Sequence, residues 1–390
     1  MPGNELIGKE EYQEVKKVFK KSGGVLYAHG FDKRRNNIFR VRSFENQISK
    51  TLKSQLSVCV SSGTAALYTA LKSLNLKKGD EVITQTHTFV ATVEAILEVG
   101  AKPVLVNVGK CLNMNPYELE NAITKKTKCI IPVHMLGNPA HMDKIKKISK
   151  KYNIPIIEDA CQSIGAKFQG KHVGTIGDFG TFSFDYGKNI TAGEGGVIFS
   201  QNKKYFDFLK SYPDHGHAND KRFPRGNDVA YTTGFNFRMT EIQAAILSVQ
   251  LKKLNFILSN FRKNKKIYKA PLVDKLKGKL EFRKITDKDE TGDSIVFFLP
   301  QKKLVSKTLN FFSEKNIPIK IIPDAIKWHF SYHWKHMFKD AIDFKRKQKS
   351  WIKSKELLDR TICLPINVLD KKQDLNRNSE LIIKYLDNLI

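Results

Sequence analysis

The chain has 390 residues, and 41% of them are hydrophobic. That length can bury a sizeable core and predicts two or three structural units. The sequence has no run of about 18 apolar residues, which excludes a membrane-spanning helix. Its charged first segment lacks the apolar core of a signal peptide, so we expect a cytoplasmic protein without a membrane partner.

The formal net charge is +28, which raises the question of nucleic-acid binding. Only 12 of the 67 basic residues are Arg, the residue best suited to bidentate contacts with bases and phosphates. The lysines are spread along most of the chain, and no nucleic-acid-binding motif occurs. We therefore expect no nucleic-acid partner and at most a modest steering of anionic substrates. The five scattered cysteines predict neither a disulfide framework nor a metal site.

Between about residues 55 and 200, short apolar segments alternate with helical patterns. The β-branched content and even spacing of these segments predict an α/β fold, with a mostly parallel seven-stranded sheet covered on both faces by helices. The strand candidates are LSVCV, DEVIT, KPVLVNV, KCIIPVH, IPIIEDA, GTFSFD and GGVIFS, and the helix candidates include GTAALYTALKSLN and AHMDKIKKISKKYN.

The pattern changes near residue 239. Residues 239–269 carry apolar side chains at helical spacing, which predicts one long connecting helix. Farther on, a strand at SIVFFLP and helices at KTLNFFSEKN and SELIIKYLDNLI predict a smaller α+β unit. We therefore predict a large domain over residues 1–265, which includes the connecting helix, and a small C-terminal domain over residues 266–390.

One lysine stands out in the segment FSFDYGKNITAGEGG, because Lys188 lies alone between a predicted strand and a glycine-rich loop. Such a lysine can simply extend its ammonium into solvent. Three other features favour a chemical role. The first is SSGTAAL, which follows a strand and opens a helix at Gly63 and Thr64. The N–H groups of a helix N-terminus suit a phosphate, although Ser-Gly-Thr is also an ordinary N-cap.

The second feature is IPIIEDACQS, in which Glu158 and Asp159 end a buried strand. Open α/β sheets bind their ligands at this edge, and a carboxylate buried there needs a cationic partner. That partner could be a basic side chain in a salt bridge, a helix N-terminus or the ring nitrogen of a pyridine cofactor. The third feature is Phe89, which follows the strand DEVIT and could belong to the core or stack on a planar ring.

These features together match the needs of pyridoxal phosphate. The chain offers a phosphate site, a stacking aromatic, a partner for the ring nitrogen and a lysine, in that order. A lysine must lose its proton to attack the aldehyde of this cofactor, and partial burial favours the neutral amine. The residues therefore predict a pyridoxal-phosphate enzyme in which Lys188 forms the Schiff base.

Six segments in order resemble the DegT-type sugar aminotransferases: SSGTAAL, GDEVITQTHTFVAT, PVHMLGN, EDACQSIGA, FSFDYGKNITAGEGG and GFNFRMTEIQAAI. This family has the fold-type-I architecture of pyridoxal-phosphate enzymes and aminates keto or aldehyde sugars. The resemblance is strong over residues 25–265. It implies L-glutamate as the amino donor and a homodimer with composite active sites. Relatives with histidine in place of the lysine are dehydratases, so Lys188 argues against that branch.

The resemblance also implies roles for single residues. Lys188 corresponds to the Schiff-base lysine, Asp159 to the partner of the ring nitrogen and Phe89 to the stacking aromatic. Gln162 corresponds to a contact near the phenolic oxygen of the ring. The implied phosphate contacts are Gly63, Thr64, Ser183 and, from the neighbouring subunit, Asn236.

The substrate is indicated by a different set of segments. Many relatives act on nucleotide-linked 3- or 4-keto hexoses and carry a Tyr-x-Pro-Leu-His element, where this chain has IKWHFSYHWKHM. This segment, MPGNELIGKEE, FDKRRNNIFRVRSFE and DHGH resemble a subgroup that forms 8-amino-3,8-dideoxyoctulosonate, a lipopolysaccharide sugar. The candidate substrate contacts are Arg34, Arg35, Arg42, Arg225, His215, His217, His329 and His333, since Arg can bind a carboxylate bidentately.

We therefore expect 8-oxo-3-deoxyoctulosonate as the amino acceptor. One alternative is a nucleotide-linked 3- or 4-keto hexose. Another, from a different functional class, is a relative of this fold that binds the cofactor or a glycan intermediate without turnover.

Overall fold

The structure is a computed structural model that describes residues 2–220, 222–338 and 341–389. Its helices are α1 (Lys9–Lys21), α2 (Arg40–Leu52), α3 (Gly63–Ser73), α4 (Val90–Glu98), α5 (Pro116–Ala122), α6 (Met142–Tyr152), α7 (Phe206–Ser211), α8 (Glu241–Lys275), α9 (Lys303–Glu314), α10 (Ile326–His329), α11 (Ala341–Ser350), α12 (Ile352–Leu358) and α13 (Lys372–Leu389). Its strands are β1 (Leu56–Val60), β2 (Glu81–Gln85), β3 (Lys102–Val106), β4 (Thr127–Ile130), β5 (Ile157–Asp159), β6 (Lys167–Phe168), β7 (Lys171–His172), β8 (Phe179–Ser183), β9 (Gly196–Ser200), β10 (Glu281–Phe282), β11 (Ser294–Phe298) and β12 (Thr361–Pro365).

Seven strands form the central sheet in the order β3-β2-β4-β5-β8-β9-β1. Parallel bridges from Ile130 to Ile156 and from Val133 to Asp159 join the two hydrogen-bonded parts of this sheet. The pairs β2–β3, β2–β4 and β5–β8 are parallel, whereas β9 is antiparallel to both β8 and β1. The predicted mostly parallel sheet of seven strands is therefore confirmed, and each predicted strand segment overlaps one of them.

Helices cover both faces of this sheet, so its strands are apolar on both sides. In β1, Val58 and Val60 pack in one cluster with residues of α3, while Cys59 between them packs in a second cluster with residues of α2 and α8. This alternation follows from the two-residue period of a strand.

The long helix α8 has 35 residues and begins with a capping box, in which Thr240 and Gln243 bond each other's backbone N–H groups. Helices α1, α2 and α13 pack against it. The predicted boundary at residue 265 falls inside α8, and the division into two domains stays a prediction. No helix of the described ranges combines the length and apolar character needed to cross a bilayer.

Beyond α8, the strands β10, β11 and β12 form an antiparallel C-terminal sheet in that order. The predicted strand SIVFFLP is β11, and its buried Phe297 packs with Phe312 of α9 and Ile382 of α13. Helix α13 begins seven residues before the predicted segment, at Lys372. The sequence did not indicate this extension because its first turns are largely polar.

Candidate active site

A cavity of about 710 Å³ lies at the carboxyl ends of the parallel strands. We call its side formed by residues 62–194 the sheet wall, and its side formed by residues 293–367 the C-terminal wall. Eight residues predicted from the sequence line this cavity: Gly63, Thr64, Phe89, Asp159, Gln162, Ser183 and Lys188 in the sheet wall, and His329 in the C-terminal wall.

Lys188 lies in the turn that follows β8 and is half-buried. Its backbone N–H donates to the Asp185 carbonyl over 3.0 Å, and its own carbonyl accepts from the Gly3 N–H over 3.0 Å. Within the described ranges, no hydrogen bond or ion pair engages its Nζ atom. The backbone of Lys188 is therefore fixed, while its amine is left available to a ligand.

Asp159 ends β5 and is only 4% exposed. Its Oδ2 accepts from the Thr92 hydroxyl over 2.7 Å, and its Oδ1 accepts from the Cys161 N–H over 3.2 Å. These donors are neutral, and no basic side chain among the described residues forms an ion pair with this carboxylate. Because a buried charge needs compensation, the arrangement fits a cationic group inside the cavity.

The neighbouring Glu158 differs because its partners lie in the protein. It pairs with His134 over 3.0 Å and accepts from the N–H groups of Gly174, Ile176 and Gly177 over 2.6 to 2.9 Å. Glu158 is fully buried and does not line the cavity. It therefore has a structural role, and only Asp159 of the two faces the cavity.

The N-terminus of α3 forms a cradle next to β8. Ser62 is its N-cap and accepts from the Ala65 N–H over 3.0 Å, while the N–H groups of Gly63 and Thr64 precede the first intrahelical bonds. A Cβ atom at Gly63 would lie 2.8 Å from the Ser183 Cβ, so glycine permits this close approach. The free N–H groups and the helix dipole suit a phosphate.

The ring of His329 packs against that of Phe89 at the edge of the cavity, with 5.3 Å between their ring centroids. The His329 Nδ1 lies 2.9 Å from the Ala325 carbonyl oxygen, so Nδ1 carries the proton and Nε2 keeps a lone pair. Burial lowers the pKa of His329, the bond to Ala325 opposes this change, and the Lys188 ammonium lowers the pKa further. His329 is therefore neutral and presents an acceptor.

Gln162 and Asn189 supply polar groups to the sheet wall. The Oε1 of Gln162 accepts from the Leu136 N–H over 3.0 Å, which leaves its amide NH₂ as a donor. The Nδ2 of Asn189 is buried and has no hydrogen-bond partner within the described ranges. A buried donor without a partner beside a cavity fits a polar ligand. Sequence reasoning missed Asn189, whose one signal is its position next to Lys188.

Several other predicted residues lie outside the cavity of their own chain. Arg35 is fully buried, and its guanidinium contacts Glu241 over 2.6 Å and the carbonyls of Tyr27 and Ile38. Arg225 donates to both carboxylate oxygens of Asp214. The remaining predicted substrate or cofactor contacts outside this cavity are Arg34, Arg42, His215, His217, His333 and Asn236.

The family model described as the DegT/DnrJ/EryC1/StrS aminotransferase family matches residues 32–380, which is most of the chain. The chain belongs to this family. It is an aminotransferase, and its cofactor is pyridoxal phosphate. The free amine of Lys188, the uncompensated Asp159 and the phosphate cradle of α3 fit that cofactor.

The chain is also similar to curated proteins and to solved structures. GDP-perosamine synthase of Escherichia coli O157:H7 is 39% identical over 230 residues, which cover 59% of this chain and 62% of that protein. An aminotransferase from Psychrobacter cryohalolentis matches with a TM-score of 0.86 at 24% identity over 98% of both chains. NtdA from Bacillus subtilis, solved with the bound cofactor PMP, matches with a TM-score of 0.81 at 25% identity over 98% of this chain and 84% of that chain. The expected fold-type-I architecture is therefore confirmed.

Proposed function

We propose that this protein transfers an amino group from L-glutamate to a keto or aldehyde sugar. The observation that carries the proposal is that Lys188 and Asp159 line the same cavity. These side chains lie 29 positions apart in the sequence, face one cavity, and have an amine and a carboxylate without charged partners among the described residues. The 39% identity to GDP-perosamine synthase supports a sugar as the acceptor.

Each residue of the sheet wall then has a task. The cofactor supplies a ring that accepts electrons from the carbon that loses a proton. The cradle of α3 and Ser183 would hold its phosphate, Asp159 would keep its ring nitrogen protonated, and Phe89 would stack on its face. The amine of Lys188 would remove the proton from the α-carbon of the amino donor, and in the second half-reaction it would deliver a proton to the acceptor carbon that takes the amino group.

The acceptor that we propose is 8-oxo-3-deoxyoctulosonate, an anionic sugar acid without a nucleotide. It is supported by the segments around residues 31–45 and 326–337 that resemble the corresponding subgroup. A nucleotide-linked keto hexose is the second candidate, and the similarity to GDP-perosamine synthase favours it. Arg35 does not support the sugar acid, because its guanidinium is already paired with Glu241 in the interior.

We also propose a homodimer in which Asn236 reaches the cofactor phosphate of the second copy. Asn236 is exposed and lies outside the cavity of its own chain. Phe235 and Tyr231, which precede it in the same segment, are 54% and 56% exposed, and such apolar surface favours coverage by a partner. Sedimentation of the protein at micromolar concentration tests this assembly, and a strictly monomeric species with full activity would contradict it.

The function is tested by following the visible absorbance of the bound cofactor. L-Glutamate alone should change this absorbance and release 2-oxoglutarate, and the correct sugar should restore the original spectrum. Lys188→Ala should slow the reaction by at least about a thousandfold, because it removes the group that moves the proton. Lys327→Ala removes an exposed lysine outside the cavity and should leave the rate unchanged. A protein that binds the cofactor and shows no spectral change with any amino donor would favour the non-catalytic alternative.

A further inference from the structure

The cavity of this very basic protein is acidic. Within the described ranges, the basic residues that line it are Lys188, Lys320 and His329, and no Arg lines it. The carboxylates that line it belong to four residues: Asp159, Asp185, Glu194 and Asp293. A ligand that carries carboxylates, such as L-glutamate, would be repelled by this lining unless a cation holds it. Since Lys188 acts at the cofactor, Lys320 is the lysine available for this task.

Lys320 lies between α9 and α10 in the C-terminal wall. Its backbone N–H donates to the Cys363 carbonyl of β12 over 2.8 Å, which fixes the segment against the C-terminal sheet. Its side chain is 8% exposed, and Nζ donates to the Asp293 Oδ2 over 2.5 Å and to the Asp293 carbonyl over 3.1 Å. An ammonium has three N–H donors, so one remains for a ligand in the cavity.

The ion pair of Lys320 belongs to a larger buried group that we call the ion cluster: Lys265, Arg283, Glu290, Asp293 and Lys320. Glu290 pairs with both Lys265 and Arg283, and Asp293 pairs with Lys320. All five side chains are at most 10% exposed. Three cations therefore face two carboxylates, which leaves the cluster with one positive charge in excess.

Uncompensated buried charge is costly, so an excess cation favours an anion at the point where the cluster meets the cavity. That point is Lys320 with Asp293, because the other three members do not line the cavity. Burial lowers the pKa of Lys265 to about 8, Glu290 opposes this shift and Arg283 adds to it. Lys265 therefore remains mostly protonated at pH 7, so the excess charge persists there.

We propose that Lys320 is a carboxylate subsite that binds the amino donor through its free N–H. The inference rests on the proposed function, in which L-glutamate is the donor. The phosphate cradle belongs to the opposite wall, so the subsite holds a different anion from the cofactor phosphate. An octulosonate acceptor also carries a carboxylate. The reaction with L-glutamate is measured without any sugar, so it reports on the amino donor alone.

The test compares Lys320→Met with three matched variants. Lys320→Arg keeps the charge, and Lys327→Met removes an exposed lysine of the neighbouring segment that lies outside the cavity. The double variant K320M/D293N replaces the ion pair by a neutral pair, which guards against unfolding caused by an unpaired buried Asp293. Circular dichroism and cofactor absorbance confirm that each variant is folded and loaded.

Two readouts are measured on the loaded protein. The first is the L-glutamate concentration that gives half-maximal rate of the spectral change. The second is the Kd of succinate, an unreactive dicarboxylate, from calorimetry. A charge-assisted hydrogen bond contributes about 1.5–3 kcal/mol, so both values should rise about 10- to 150-fold in Lys320→Met and in the double variant. Lys320→Arg and Lys327→Met should stay within about threefold of the parent, and the maximal rate should change little.

Unchanged glutamate and succinate values in both Lys320→Met and the double variant would overturn the proposal. A higher Kd of succinate with an unaffected glutamate value would overturn the assignment to the amino donor. The proposed function fails separately if the parent protein reacts with no amino donor. In that case the succinate measurement still decides whether Lys320 binds a carboxylate.

Discussion

The two walls of the cavity are built in different ways. The sheet wall takes its functional side chains from the ends of parallel strands and from α3, where the backbone alone brings Gly63, Asp159 and Lys188 to one edge. The C-terminal wall takes Asp293, Lys320 and His329 from three separate segments that meet only through packing. The sheet wall can therefore hold the cofactor contacts that a family shares, while the C-terminal wall can hold the substrate contacts that differ from one chain to another.

The largest effect should come from the sheet wall. Asp159→Asn keeps the size of the side chain and an oxygen for the Thr92 hydroxyl but removes the charge beside the ring nitrogen. We expect the rate of the glutamate reaction to fall at least about a hundredfold, because a preorganised charge is lost from a buried position. Stopped-flow absorbance measures this rate.

The control is the adjacent carboxylate. Glu158→Gln changes a residue that bonds His134 and three backbone N–H groups outside the cavity, so it should lower the stability of the fold. The folded fraction should keep its chemical step. Equal loss of rate in both folded variants would show that Asp159 has no special role at the cofactor.

These two neighbours also show what the sequence could predict. Parallel strands end at a common edge, so Asp159, Phe89 and Lys188 could be placed near one another from strand patterns and a family resemblance. Strand patterns alone could not say which of Glu158 and Asp159 faces the ligand, and it was the family resemblance that indicated Asp159. That choice depends on the turn at residues 174–177, whose N–H groups bind Glu158.

The C-terminal wall was much less predictable. Lys320 is one of many lysines in the chain and carries no local pattern, because its role depends on an ion cluster assembled from α8 and the segments that connect to the strands of the C-terminal sheet. Arg35 was a candidate substrate contact because Arg can bind a carboxylate bidentately. In the structure its guanidinium is buried and paired with Glu241 of α8, a contact that no local sequence pattern indicates.

The contact between the two walls provides the second prediction. Gly137 has φ of +73°, and a Cβ atom there would lie 2.7 Å from the Asp293 Oδ1 and collide with the Thr291 hydroxyl. Gly137→Ala should lower the free energy of unfolding by about 2–5 kcal/mol, from backbone strain together with overpacking. Urea denaturation measures this change.

Gly79→Ala is the matched control, because Gly79 also has a positive φ, of +96°, and no atom lies within 4 Å of its added Cβ. It should cost only the strain of about 1–2 kcal/mol. If both variants lose the same stability, the contact between Gly137 and the Asp293 region does not hold the walls together.

A smaller effect is expected at His329. His329→Phe keeps an aromatic ring against Phe89 but removes the Nε2 acceptor, so a buried donor of the substrate would lose its partner. Such a loss costs about 1–3 kcal/mol, and we expect kcat/KM for the sugar to fall about tenfold. The pKa of His329 lies below its ordinary 6.5, so the neutral form persists above that pH. Activity that falls with the titration of this histidine above pH 7 would contradict the assigned acceptor role.

The smallest expected effect is on cofactor affinity, and it tests whether Phe89 of the sheet wall stacks on the cofactor or only packs against its neighbours. Phe89 is 42% exposed, so its ring has surface available to a planar partner. Phe89→Leu keeps an apolar side chain and loses the stacking energy of about 0.5–1.5 kcal/mol, so the Kd of the cofactor should rise about two- to twelvefold. Titration of the apoprotein with pyridoxal phosphate measures this Kd.

Tyr117→Leu changes an aromatic residue that is 74% exposed and lies outside the cavity, and it should leave the Kd unchanged. An unaltered Kd in Phe89→Leu, with unaltered catalysis, would assign Phe89 to packing against His329.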